Sequence, residues 1–153
     1  MSSLLSVFSE ILPMIMPSST LVTRAKQLEP SHPTVEGPVI QRDAIIDKCD
    51  KMCVSVLTTR PKSASTIRHN SEQDTIVYAV SGEGTLIVNE GLAMDLKKHP
   101  LSPGDFAFIP AWTEHQVKNE SDQDLVWLII QSGRSPISAD LADWGGDMVT
   151  KRD

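Results

Sequence analysis

The sequence predicts an all-β protein, an antiparallel sandwich or barrel, and three observations carry that expectation. Short apolar runs recur at intervals of about 8–12 residues, each bounded by turn residues. No helical pattern separates them, so a parallel sheet with crossover helices is not indicated. At 153 residues the chain suits one domain of ordinary size and is too short for two typical cores.

The elements follow in chain order. Leu4, Leu5, Phe8, Ile11, Leu12 and Ile15 are spaced by one, three and four, a helical period ended by Pro13 and Pro17. This predicts a short amphipathic arm that packs on the domain or on a partner subunit. It holds no Lys or Arg to draw it to an anionic membrane surface. Pro30, Pro33 and Pro38 mark a loop or extended edge, so residues 1–38 form an arm and linker. The barrel is expected over residues 39–136. Its runs are Lys51 to Thr59, Ser65 to Asn70, Thr75 to Val80, Thr85 to Val88, Asp105 to Ile109, Glu114 to Lys118 and Leu125 to Gln131. The Ser81-Gly82-Glu83-Gly84 stretch reads as a hairpin turn, and Pro110 stops the run that begins after Ser102-Pro103-Gly104. Residues 137–153 form the tail, with one short closing helix expected over Ile137 to Trp144, before Gly145-Gly146.

Composition removes several classes of function. Fourteen Lys and Arg against twenty Asp and Glu leave a formal charge of −6, with no basic run longer than two residues, so no nucleic-acid partner is expected. No apolar run reaches the roughly 18–20 residues of a membrane span. The N-terminus lacks a basic start, Glu10 breaks its apolar stretch, and no small-residue cleavage site follows, so a soluble cytoplasmic protein is expected. Cys49 and Cys53 are too few for a disulfide scaffold and read as two reduced thiols.

Two segments carry chemistry. Gly104, Pro110, His115 and Asn119 stand at the offsets of the pattern G(X)5PXG(X)2H(X)3N, with Trp112 in place of its middle glycine. Aligned on Gly82, the pattern G(X)5HXH(X)3–4E(X)6G places its histidines at His69 and Ser71 and its carboxylate at Thr75, with Gln73 and Asp74 close by. Over about residues 50–131 the chain therefore resembles the cupin superfamily, the second motif well and the first in degenerate form. The resemblance implies a cupin-type jelly-roll barrel with the N-terminal arm and one short C-terminal helix. It also implies a homodimer, since small cupins often exchange N-terminal arms.

Cupin metal sites commonly hold iron, manganese, nickel or zinc with three histidines and a carboxylate. The resemblance thus nominates His69, Gln73, Asp74 and His115 as ligands of one divalent metal, with Gln73 offering an amide oxygen and Asp74 a carboxylate if the loop shifts by one residue. Two histidines alone favour a pocket without metal. There they could share acid and base roles, because imidazole titrates near neutrality. Arg68 or Lys118 could hold an anionic or enolic oxygen, and Arg68, Gln73 and Trp112 are the expected substrate contacts. Tyr78 is a candidate proton donor, although strand alternation permits it either face. His32 and His99 lie beside prolines and read as solvated surface residues. Trp112, Trp127 and Phe108 could line an apolar cavity, with Trp127 more simply core. The expected function is that of a non-redox enzyme (isomerase, cyclase, dehydratase or decarboxylase) acting on a small oxygenated carbonyl metabolite. A metal-dependent dioxygenase with a variant ligand set and a non-catalytic small-molecule binder are the alternatives.

Overall fold

The computed structural model describes residues 4–7, 9–10, 16–28, 37–91 and 95–149. Among these are eleven strands: β1 (Val39–Ile45), β2 (Met52–Thr59), β3 (Ser63–Ala64), β4 (Ile67–His69), β5 (Thr75–Ser81), β6 (Gly84–Asn89), β7 (Leu96–Leu101), β8 (Phe106–Ile109), β9 (Glu114–Asn119), β10 (Leu125–Ser132) and β11 (Ala139–Leu141). They form two antiparallel sheets, ordered β1-β2-β10-β5-β8 and β11-β4-β9-β6-β7, with β3 added to β9. This is the all-β jelly roll that the sequence predicts.

Alternation explains how the sheets close on each other. Cys53, Ser55, Leu57 and Thr59 of β2 are buried, as are Leu125, Trp127, Ile129 and Gln131 of β10. Their intervening neighbours are only half-buried, so each strand turns one face inward. The core joins Leu57, Val77, Ala79, Trp127 and Ile129 of the first sheet to Leu86, Val88 and Val117 of the second. Gly82 makes the β5–β6 turn possible. Its φ is +79°, and a Cβ there would stand 2.4 Å from the Asp124 carbonyl oxygen.

The edge strands β1 and β7 escaped the sequence reading, and the tail differs from it. Strand β7 is LKKHPL, exposed along most of its length, so it shows no apolar alternation to read. It carries His99, which is exposed as expected but belongs to a strand, not a loop; His32 lies outside the described residues. The helix expected over Ile137 to Trp144 is corrected to strand β11. Ala139–Leu141 pairs with Ile67–His69 and then doubles back through Gly145, so that Leu141 meets Met148. Pairing satisfies the backbone of the β4 edge, which a helix would have left open.

In the arm, residues 4–7 and 9–10 are helical, whereas Phe8, Ile11, Leu12 and Ile15 lie outside the described residues. Leu4 and Leu5 are 80% and 73% exposed, so the expected packing of the arm on the domain is not found at these positions. No helix among the described residues is long and apolar enough to cross a membrane.

Candidate functional site

Register decides which polar side chains face the barrel interior. His115 of β9 lies opposite Val88 of β6 on one side and Arg68 of β4 on the other, and all three share the inner face. Arg68 and, two residues on, Asn70 line an interior cavity of about 40 Å³. Leu57, Val117 and Ile129 form its apolar floor, and Gln41, Gln131, Pro136 and Ser138 complete its wall. The residues that face inward at the start of the first motif are therefore Arg68 and Asn70, one position away from the expected His69 and Ser71.

His69 is thereby corrected to the other side of β4. Its ring packs against Trp112 at a centroid separation of 5.3 Å, and its Nδ1 accepts the Ser71 backbone N–H at 3.0 Å. It remains near enough to His115 for its charge to be felt there. Trp112 itself is 60% exposed and does not line the cavity.

His115 is buried. Its Nδ1 lies 3.0 Å from the Thr113 carbonyl oxygen, which can only accept, so Nδ1 carries the hydrogen. In the neutral ring Nε2 then keeps a lone pair. Burial pushes the pKa from the usual histidine value down to about 4; the Thr113 carbonyl opposes this, while Arg68 and His69 add to it. Burial also pulls the Arg68 guanidinium below its usual value, against the attraction of Asp140. Asp140 is paired in register with Arg68, but its carboxylate accepts from Thr66 and forms no ion pair with Arg68. The Arg68 guanidinium makes no hydrogen bond to any described residue.

Gln73 is a structural latch, which corrects its expected place among the substrate contacts and metal ligands. Its Nε2 donates to the Ser135 carbonyl at 2.7 Å, and its Oε1 accepts from Gln131 Nε2 at 2.9 Å and from the Ile137 N–H at 2.8 Å. Both lone-pair directions of that oxygen are used. Gly133 leaves room for the latch, since a Cβ there would stand 2.7 Å from Gln73 Nε2. Asp74 is exposed and accepts the Ala111 N–H, so its carboxylate faces away from the cavity. Tyr78 is corrected to the outer face, where its ring meets Phe106 at 4.7 Å, beside exposed Ile76, Val80 and Phe108. Lys118 is exposed and paired with Glu120 at 3.1 Å.

These positions do not suit a metal ion. Among the described residues no three His, Cys, Asp or Glu side chains are grouped to hold one. Of the four nominated ligands only His115 turns to the barrel interior, behind the residues that line the cavity, and the cationic Arg68 beside it would repel a divalent ion.

The rest of the second motif is structural. Asn119 is buried, donates to the carbonyls of Thr59, Arg60 and Gln123, and accepts from Ser121, which ties β2 to the turn before β10. Trp112 explains why the pattern has glycine at its position: its φ is +65°, the left-handed region that costs a side-chain-bearing residue about 1–2 kcal/mol. The bond from its N–H to the Ser71 carbonyl, at 2.8 Å, helps to hold it there. Trp112→Gly is expected to be about 1 kcal/mol more stable than Trp112→Ala, measured by urea denaturation, since both lack the indole and only alanine keeps the strain. Equal stabilities would show that the backbone has relaxed.

Comparison with known proteins agrees with this architecture. The Cupin domain family matches residues 56–131. No curated protein sequence matches the chain. Among solved structures, Peruvianin-I, a cysteine peptidase from Thevetia peruviana latex, is similar with a TM-score of 0.69 at 15% identity, covering 84% of this chain and 82% of its own. TT1209 from Thermus thermophilus is similar with a TM-score of 0.58 at 24% identity, covering 74% and 98%. An oxalate oxidase in complex with the substrate analogue glycolate gives 0.66 at 10% identity, covering 81% and 68%. At these identities the likeness shows the shared fold. The family match, the two-sheet jelly roll and the second motif together establish that this chain belongs to the cupin superfamily.

Proposed function

We propose that this cupin is a non-redox enzyme of the isomerase, cyclase, dehydratase or decarboxylase kind, moving a proton on a small oxygenated carbonyl metabolite. The observation that carries the reading is His115: an interior imidazole, its Nδ1 fixed on Thr113, with an unprotonated Nε2 beside a guanidinium that has no ion pair among the described residues. In such a step Nε2 takes a proton from the carbon next to the carbonyl. The C–H electron pair moves into the new C=C bond, and the carbonyl π pair passes to oxygen as an enolate, which the positive charge of Arg68 stabilises. A pKa of about 4 makes the resting imidazole a weak base. The negative charge that develops on the substrate raises it as the proton moves.

Solvent-exchange NMR tests this whatever the product of the full reaction is. Small α-keto and β-keto compounds are incubated with the protein in D₂O, and deuterium entering the α-carbon is followed. The parent should catalyse exchange on at least one of them, and His115→Gln should lower the rate about 100-fold or more. Equal rates in parent and variant would overturn the role of His115. Saturable binding with no exchange would favour the non-catalytic binder.

A further inference from the structure

We infer that Arg68 makes the barrel interior a carboxylate-binding site, a fixed cation standing where cupins commonly hold a metal. The inference rests on the reading of the cavity as the substrate site and names the chemical class of that substrate. Three independent features support it.

The first is the missing counter-charge. A guanidinium withdrawn from water is costly unless hydrogen-bonded to an anion, yet that of Arg68 has neither an ion pair nor a hydrogen bond among the described residues. Among the described residues no Asp or Glu lines the cavity, and the carboxylate that acts on Arg68, that of Asp140, is engaged by Thr66. An anionic ligand is the partner that the site lacks.

The second is the set of amides around it. Gln41 donates one amide hydrogen to Ser55 at 2.8 Å, Asn70 one to Thr75 at 2.9 Å, and Gln131 one to Gln73 at 2.9 Å. The Gln73 amide oxygen, which also accepts the Ile137 N–H, fixes the Gln131 nitrogen, and in this arrangement each of the three amides keeps a second N–H to donate. Neutral donors grouped around one cation suit an acceptor-only ligand. They suit a metal ion poorly.

The third is size. A cavity of about 40 Å³ admits roughly three waters, at ~10–15 Å³ for each. The two oxygens of a planar carboxylate match the guanidinium fork. A tetrahedral phosphate is larger and carries more negative charge at pH 7 than one guanidinium offsets. The remainder of the ligand would extend past Pro136 and Ser138. The metabolite is therefore a small monocarboxylate, and its carbonyl lies next to the carboxylate, where one cation reaches both groups.

The test uses acetate, pyruvate, acetamide and inorganic phosphate as probes at constant ionic strength, with calorimetry and melting temperature as readouts. Acetate and pyruvate should bind saturably at about millimolar concentration and raise the melting temperature, whereas acetamide and phosphate should not. Arg68→Met should weaken carboxylate binding at least tenfold, and Arg68→Lys should keep part of it; melting of both variants shows that they fold. Equal acetate binding by the parent and Arg68→Met, or equal binding of phosphate and acetate, would overturn the inference. The two readings fail separately. If Arg68→Met loses acetate while His115→Gln still exchanges deuterium at the parent rate, the carboxylate site stands and the proton-transfer role falls. If His115→Gln alone abolishes exchange and Arg68→Met binds acetate normally, the reverse holds.

Discussion

Between pH 7 and pH 4 the parent protein is expected to lose about 3 kcal/mol more stability than a His115→Gln variant. The cause is the buried imidazole, whose pKa in the folded chain is depressed to about 4. An unfolded chain binds that proton near pH 6.5, so over this window the unfolded state holds more protons than the folded one. Stability contributed by the neutral ring is then complete above the unfolded pKa and is lost as pH falls towards the folded one. Carboxylates titrate in the same range and affect both proteins alike, so the difference between the two curves isolates residue 115. Urea denaturation at half-unit pH steps measures it. Parallel curves would mean that His115 takes up its proton inside the fold at ordinary cost, and that its surroundings are wetter than the geometry indicates.

Replacing Trp127 should produce the largest loss of stability from a single side chain. It is fully buried on β10 and lies between Leu57 of β2 and Ala79 of β5. Truncation to alanine is expected to cost about 3–5 kcal/mol, from lost burial plus the cavity left behind. Trp127→Phe should cost only about 1 kcal/mol, because the indole Nε1 has no hydrogen-bond partner among the described residues and phenylalanine, while sacrificing volume, also removes an unsatisfied donor. Equal losses in the two variants would show that the indole nitrogen is satisfied after all, and that packing volume is the lesser part of its contribution.

Much of the barrel was legible because its central strands bury alternate residues. Runs such as MCVSVLTT and LVWLIIQ announce themselves through that period. Strand β7 was silent, because an edge strand facing water on nearly every position carries lysines and a proline in place of the apolar repeat. The tail misled for a related reason. Ile137, Leu141 and Trp144 have helical spacing, but the open edge of β4 offered backbone partners that spacing cannot reveal.

The site was half legible. Offsets placed His115 and Asn119 on the correct elements, since both belong to a motif in which one strand fixes the distances. The first motif was misread by one residue. Its glutamate and second histidine are absent, so Gly82 alone anchored the alignment, and a slip of one residue reverses every side chain on a strand. Arg68 was nominated as an anion contact, but its inward direction, and the inward amides of Asn70, Gln41 and Gln131, follow from pairing with β9 and from strands distant in sequence. Gln73 drew attention as a ligand because an amide oxygen close to the motif's carboxylate position could stand in for it. Its three bonds to residues 131, 135 and 137 are long-range, and no local pattern foretells them.

That latch has an entropic consequence. The segment from Gly133 to Ser138 supplies part of the cavity wall, and segments of this kind often become ordered only when a ligand arrives, which subtracts from affinity. Here one amide, anchored at the start of β5, fastens the segment while the chain folds. The loss of conformational freedom is incurred once, in folding, and need not be repeated at each binding event. A ligand with few atoms has little interaction energy with which to organise its host, and a rim already at rest asks for none of it.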